Sequence, residues 1–465
     1  MLIGGQLVEG ERSPVSIINP ADESVFATAA NASEQQIDEA VNAARNAFEN
    51  WRQTSVAERQ ALIRKIAETV KANSTELAEL LVRETGKPLA IAQFELQLSI
   101  ESLQAHCSMQ LENQLLEDST ERRVELQYRP LGVVAGIVPW NFPFFLATPK
   151  LASGLLAGNA VIIKSAPYTP ISYARFGELI SELVPAGLVN FISGDDDVGP
   201  WLTAHSGVNK ISFTGSVTTG KKVMAGAGGD IKRLTLELGG NDAAIVLPDV
   251  DIAEVAPAIF QGAFLNSGQI CIGIKRLYIH EDIFEPMVQV LGTIAEQMIV
   301  GNGLEPETNI GPIQNSIQYR KVLAVLDEVK ASSARIVAGG TVPEGKGYFL
   351  RPTIVADVEE GCTLVDEETF GPILPVLKFS NIDEVIARAN NTTFGLGGSV
   401  WSKDSEQAQA IAERLECGIA WANQVQHLAP HIPMIGCKHS GLGMEAGQEG
   451  LKGYAQAHVV DTAKG

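Results

Sequence analysis

A thiol, a carboxylate and a side-chain amide together can attack a carbonyl, move a proton and steady an oxyanion, and one of each stands here in a loop-forming context. Cys271 closes the run Asn266-Ser267-Gly268-Gln269-Ile270-Cys271. A solitary intracellular thiol is either a small inert hydrophobe or a nucleophile, and its surroundings separate the two. A Gly-Gln turn flanked by small and polar residues can bring a thiol to a cleft. Cys107, Cys362, Cys417 and Cys437 have no such setting. Glu237 lies in Leu236-Glu237-Leu238-Gly239-Gly240-Asn241, where an apolar strand gives way to glycines. It is a surface turn residue or a carboxylate aimed into a crevice. In the second case partial burial raises its pKa toward neutrality and suits it to general-base work, worth roughly 10²- to 10⁴-fold in rate. Asn141 is held within Pro139-Trp140-Asn141-Phe142-Pro143. That is a rigid structural turn, or a fixed donor for an oxyanion whose removal typically costs about 3 to 4 kcal/mol.

Other stretches bear on binding. Phe213-Thr214-Gly215-Ser216-Val217-Thr218-Thr219-Gly220 reads as a strand end, a glycine turn and a helix start, whose free N–H groups can meet a pyrophosphate. It is not a GxGxxG fingerprint. Lys164 ends the apolar run Ala160 to Ile163, placed to bind a ribose or phosphate or simply to be solvated. His427 and His431 have the spacing of a metal pair, but Pro430 between them disfavours the helix that would align both rings. No Glu follows His427, and no metal is expected.

These residues need elements to position them. The first third of the chain reads as helical. Ser33 with Gln36 and Ser55 with Glu58 are capping-box pairs, and Ile37, Ala40, Val41, Ala44, Phe48 and Trp51 recur at helical spacing. A third helix should end near Gly86 and a fourth run from about Pro88 toward Met109. From residue 131 short apolar runs alternate with helical stretches: Val133 to Val138, Ala160 to Ile163, Val189 to Ile192, Lys210 to Phe213 and Leu234 to Leu236. That is the pattern of a parallel sheet with helices on its faces, in which ligands bind at the carboxyl ends of the strands. The same alternation through Ile373 to Phe379, Ser399 to Trp401 and Gly418 to Ala422 predicts a second α/β domain after about residue 240. Glu121 to Tyr128 and the tail from Leu451 to Thr462 read as extra strands suited to pairing between subunits.

Composition narrows the function further. A chain of 465 residues, 45% hydrophobic and 19% charged, has core enough for two or three domains. Its formal net charge of −20, with no basic run, argues against nucleic acid. The five scattered cysteines fit reduced thiols in a cytoplasmic setting. Residues 1–10 do not read as a signal peptide. The apolar region Leu131 to Ile163 is interrupted by Pro139, Asn141, Pro143, Pro149, Lys150 and Asn159, which fits a buried strand, helix and strand rather than a membrane span.

Taken in order, Pro139 to Pro143, Lys164, Phe213 to Ser216, Glu237 to Gly240, Gly268 to Cys271 and the Glu-x-Phe-Gly-Pro run Glu368 to Pro372 resemble the aldehyde dehydrogenase superfamily over roughly residues 15 to 460. The resemblance implies a Rossmann-like dinucleotide-binding domain (1–107 and 131–239), a second α/β catalytic domain (240–440) and a small β extension for oligomerisation (112–130 and 451–463). It implies Cys271 as nucleophile, Glu237 as general base and Asn141, with the Cys271 N–H, at the oxyanion. NAD or NADP would be bound by Pro139, Trp140, Lys164, Gly215, Ser216, Gly220, Leu238, Glu368 and Phe370. Phe142, Phe145, Ile270, Ile272, Leu428 and Met434 would line the substrate site. A homodimer or homotetramer follows from the same resemblance.

The departures from the family pattern carry information. Many NAD-using members place a Glu where this chain has Pro167, which cannot bond a ribose hydroxyl, so a 2′-phosphate is not repelled there. Pro149 stands where enzymes for succinate semialdehyde often carry Arg, so an uncharged aliphatic or aromatic aldehyde is expected. The family's Pro-Phe-Gly-Gly becomes Pro433-Met434-Ile435-Gly436. Competing readings are a CoA-acylating semialdehyde dehydrogenase, against which Glu237 speaks, and a catalytically silent structural relative, against which Cys271, Glu237 and Asn141 speak together. Cleavage of activated esters would be a side reaction of the same thiol.

Overall fold

A computed structural model describes residues 1–464. Five strands, Val133–Ile137, Ala160–Lys164, Val189–Ile192, Lys210–Thr214 and Arg233–Glu237, run parallel. Numbered in that sequence they lie 3-2-1-4-5 across the sheet. Helices cover both faces, which is why Val133–Ile137 and Ala160–Lys164 are buried at every position and do not alternate. The strand order reverses between the first and fourth strands, so the crevice beyond Ile137 and Thr214 is the topological switch point where such sheets take ligands. The loops carrying Asn141 and Gly215 flank it.

The second sheet has seven strands. Asp242–Val246, Ile274–His280, Thr353–Ala356, Ile373–Phe379, Gly397–Trp401 and Ile419–Ala422 are parallel, and Arg335–Ala338 is an antiparallel edge. Gln114–Asp118, Arg122–Pro130 and Ala455–Ala463 form a separate three-stranded antiparallel sheet. Between the two large sheets Phe142, Ile270, Ile272, Leu396 and Trp421 pack into a small apolar cluster.

Both predicted capping boxes are present, at Ser33 with Gln36 and Ser55 with Glu58. The third helix, Ser74–Thr85, stops at Gly86 in the left-handed conformation (φ 78°), and the fourth runs over Leu89–His106. The region 131–163 is indeed strand, helix and strand, with Pro143–Leu156 as the helix.

Two expectations need correction. The N-terminal part is helical only from Glu34: Leu2–Ile3 and Gln6–Leu7 edge the first large sheet, and Arg12–Ile18 pairs with Val25–Asn31 as a hairpin. Strands this short are specified by partners such as Phe191, far along the chain, and leave no local period to read. The tail is also not one strand. Gly447–Lys452 is helical, and only Ala455–Ala463 is extended, paired along its length with Arg122–Pro130 of the same chain.

Candidate active site

Cys271 follows an unusual backbone. Asn266, Ser267 and Gly268 all have positive φ (51°, 58° and 72°), so the chain leaves the helix Ile252–Phe264 through consecutive left-handed residues. Such runs are costly and persist only where neighbours over-determine them. Here a Cβ on Gly268 would lie 2.3 Å from the Gly371 carbonyl oxygen, so only glycine lets the loop of Glu368 to Pro372 pack this close. The Gln269 amide oxygen accepts from the Gln314 N–H (2.9 Å), and the Ser267 hydroxyl donates to Gly311 (2.8 Å). Lys275 Nζ donates to the Ile270 carbonyl (2.6 Å). Cys271 is thereby presented half-buried on the wall of a cavity of about 450 Å³.

That cavity also receives Asn141, Phe142, Phe145, Ile270, Ile272, Leu428 and Met434. Sequence reasoning therefore assigned to one surface six apolar residues that the fold does bring together. Asn141 Nδ2 donates to the Gln269 carbonyl (3.0 Å), tying the asparagine loop to the cysteine loop. No Asp, Glu, Lys, Arg or His side chain lines this cavity among the described residues. The resting thiol is strongly protonated: burial pushes its pKa up to about 12, Glu368 adds to this and Lys275 opposes it.

Glu237 ends the fifth parallel strand and is buried, and its Oε1 has no hydrogen-bond partner among the described residues. Desolvation pushes its pKa up to about 8, with the Glu445 charge adding and Lys150 opposing. Of the two sequence alternatives this excludes the surface turn residue. Its neighbours were not foreseen. Lys150 Nζ is bonded to Glu445 (2.9 Å), which also accepts from the Ser212 hydroxyl (2.6 Å) and Tyr454 OH (2.6 Å). Burial favours the neutral form of Glu445, yet Lys150 and these donors hold its pKa below the ordinary value. Lys150 and Glu445 are so far apart in sequence that no spacing could announce the pair.

The predicted cofactor residues gather along the carboxyl edge of the first sheet. Lys164 ends the second strand, buried, with its pKa lowered to about 8 by desolvation while Asp196 and Asp195 oppose the shift. Its Nζ donates to the Ser165 carbonyl (3.0 Å). Pro139 and Trp140 leave the first strand, and the Trp140 ring meets Phe370 edge-on at 5.4 Å. Ser216 caps the helix Val217–Ala227 by accepting from Thr219 N–H (3.2 Å), and Leu238 packs on Gly220, where a Cβ would come within 2.5 Å. Glu368 accepts from Gly240 N–H (3.1 Å). One detail corrects the sequence reading: the Gly215 N–H is not free, since it donates to the Glu237 carbonyl (3.0 Å). Along the same edge Ser165 Oγ, Thr214 Oγ1 and Glu237 Oε1 are buried without partners among the described residues. Stranded polar atoms of this kind are costly unless a ligand satisfies them, so the edge fits a polar dinucleotide. His427 and His431 lie on a segment without helix, outside this arrangement.

A sheet with this switch point thus carries a cysteine and an asparagine on one apolar cavity and a buried glutamate of raised pKa, groups that can act on a carbonyl. The sequence matches the profile of the aldehyde dehydrogenase family over residues 7–460, and the chain belongs to that family. It is 36% identical to an aldehyde dehydrogenase of a Fusarium species over 99% of this chain and 97% of that one. It is 35% identical to aldehyde dehydrogenase 1 of Tanacetum cinerariifolium over 99% and 94%. Among solved structures, the NAD+ complex of an aldehyde dehydrogenase from Bacillus cereus superposes with a TM-score of 0.97 at 35% identity, covering 100% of this chain and 96% of that one. Betaine aldehyde dehydrogenase from Staphylococcus aureus with NAD+ gives 0.96 at 30%, covering 100% and 94%. The chain is an oxidoreductase that acts on aldehydes, with the fold expected from its motifs. Among the described residues no helix is long and apolar enough to cross a membrane.

Proposed function

We propose that this enzyme oxidises an uncharged aliphatic or aromatic aldehyde to its carboxylate, with Cys271 as nucleophile, Glu237 as general base and NAD as hydride acceptor. The observation that carries the reading is the cavity on which Cys271 and Asn141 open, which is walled by Phe142, Phe145, Leu428 and Met434 and has no charged side chain to receive a carboxylated substrate. Cys271 Sγ bonds to the carbonyl carbon as its proton passes to a base, and Asn141 Nδ2 with the Cys271 N–H donates to the oxygen that gains the electron pair. A dinucleotide would be held by Trp140, Lys164, Ser216, Glu368 and Phe370 and, when bound, would supply the two-electron acceptor for the hydride, so that the substrate carbon is left as a thioester on Cys271. Glu237 then takes a proton from water, whose oxygen attacks the thioester and releases the acid and the thiol.

NAD fits better than NADP. Asp195 and Asp197 are engaged by Arg12 (3.6 Å and 3.2 Å), whereas Asp196, whose charge reaches Lys164, is in no ion pair among the described residues. A 2′-phosphate beside Lys164 would meet that carboxylate, which takes over the repulsion that Pro167 cannot supply. Residues 1–107 and 131–239 would form the dinucleotide-binding unit and 240–440 the catalytic one. The three-stranded sheet leaves Leu115, Leu116 and Val459 more than half exposed, which supports assembly into a dimer or tetramer through that sheet. Five free thiols suit the cytoplasm.

The test is absorbance at 340 nm with an aldehyde panel, either coenzyme, and Cys271→Ala as control. Turnover of hexanal and benzaldehyde with NAD that vanishes in Cys271→Ala is the expected result. Equal kcat/KM for succinate semialdehyde and for these two would overturn the substrate assignment, and equal Kd for NAD and NADP by tryptophan quenching the coenzyme assignment. Absence of any signal unless CoA is added would make the enzyme acylating. A monomeric mass by light scattering would remove the assembly.

A further inference from the structure

The mechanism above does not use the most deeply buried ion pair in the first half of the chain. Lys87 and Glu95 are each 0% exposed at the side chain and in direct contact. They flank the start of the helix Leu89–His106, and beyond each other their side-chain charged groups hydrogen-bond only to backbone groups of residues 141 to 145 among the described residues. Lys87 Nζ donates to the Asn141 carbonyl (2.7 Å) and stands 4.2 Å from the centre of the Phe142 ring. Glu95 Oε1 accepts from Phe144 N–H (2.8 Å) and Phe145 N–H (3.2 Å). These are first-turn donors of the helix Pro143–Leu156, which has no side-chain cap of its own. A second grip comes from Asn266 Nδ2, which donates to the same Asn141 carbonyl (3.1 Å) and links it to the cysteine loop. One pair thus holds both the Asn141 carbonyl and the start of the helix that follows it.

We infer that Lys87 and Glu95 are positioning residues for the Asn141 amide, fixing the oxyanion donor relative to Cys271. The inference rests on the reading of Asn141 as that donor. Buried ion pairs are seldom needed for stability, since apolar replacements of similar volume are often neutral. Geometry is what this pair supplies, and a misplacement of about 1 Å can lower a rate on the order of 100-fold.

The experiment compares steady-state kinetics of Lys87→Met/Glu95→Leu, Asn141→Ala and the triple variant on the full-length enzyme. The pair variant should lose kcat by ~10- to 100-fold with KM little changed. In the Asn141→Ala background the same replacement should cost nothing further, because the group it positions is gone. A merely structural role predicts the opposite, a loss that adds in full. An unchanged kcat in the pair variant, or full additivity, overturns the inference. Should the pair variant fail to fold, Glu95→Gln decides. It keeps an acceptor for Phe144 and Phe145 but unpairs Lys87, and wild-type kcat there likewise overturns the proposal. If Asn141→Ala alone retains wild-type kcat, it is the oxyanion reading that fails, and the pair loses its target with it.

Discussion

Two buried lysine–glutamate pairs flank the site, and they are built differently. Lys87 and Glu95 spend their remaining hydrogen bonds on backbone groups of residues 141–145. In the second pair Lys150 bonds Glu445, Glu445 accepts instead from the hydroxyls of Ser212 and Tyr454, and both charges reach Glu237. A pair bonded to peptide groups can fix where atoms are. A pair bonded to rotatable hydroxyls and facing a titratable carboxylate sets how strongly a proton is held. The same two residue types therefore serve geometry on one side of the cavity and charge on the other.

The comparison breaks most easily at Glu237. Glu237→Gln should lower kcat by roughly 10²- to 10⁴-fold and abolish the rise of kcat through about pH 8 that the wild-type carboxylate gives as it ionises. Next in size is Lys150→Met, which strands the buried Glu445 charge. A loss of about 3 to 5 kcal/mol in urea unfolding is expected, and a change under 1 kcal/mol would mean that the pair is not a charged one. Glu445→Gln sharpens the contrast. It removes a negative charge that adds to the burial-raised pKa of Glu237, so the pH–rate limb should move to lower pH. The Lys87→Met/Glu95→Leu variant should lower the plateau and leave that limb in place; a shift in both would erase the distinction between the pairs. The smallest effect is on stability against pH. Glu237 has a folded pKa of about 8 against an ordinary 4.5, so the folded protein holds a proton that the unfolded chain has released. Stability falls as pH rises between those values and levels off above them. Glutamine cannot ionise, so Glu237→Gln should gain on wild type in Tm as pH goes from 5 to 9, and parallel Tm curves would deny Glu237 its raised pKa.

How much of this was legible depends on how far apart the partners lie. Pro139 to Pro143, Gly268 to Cys271 and Glu237 to Gly240 are local runs, each with its own turn chemistry at a strand or helix end, and each falls where the sequence placed it. Gly86 and Pro88 mark a helix junction for the same local reason. Glu445 carries no such mark: nothing near it distinguishes it from the neighbouring Glu449, which is exposed and paired with Lys452 on the surface. Lys87 follows a glycine and reads as an ordinary solvated turn lysine, although the fold buries it completely. The nearness of Asp196 to Lys164 was hidden for a similar reason, since strands two and three must pair before their loops become neighbours.

The strand Gly441–Leu442 pairs with Arg233–Glu237, and Glu445 follows it directly. A nascent chain emerging from the ribosome at about 5 to 20 residues per second completes Glu237 on the order of tens of seconds before these partners are synthesised. During that interval Lys150 has no counter-ion and one edge of the first sheet is open. The polypeptide must wait, shielded or partly unfolded, for its last segment, so a chain that ends before residue 441 would have Cys271 made and the surroundings of Glu237 unfinished.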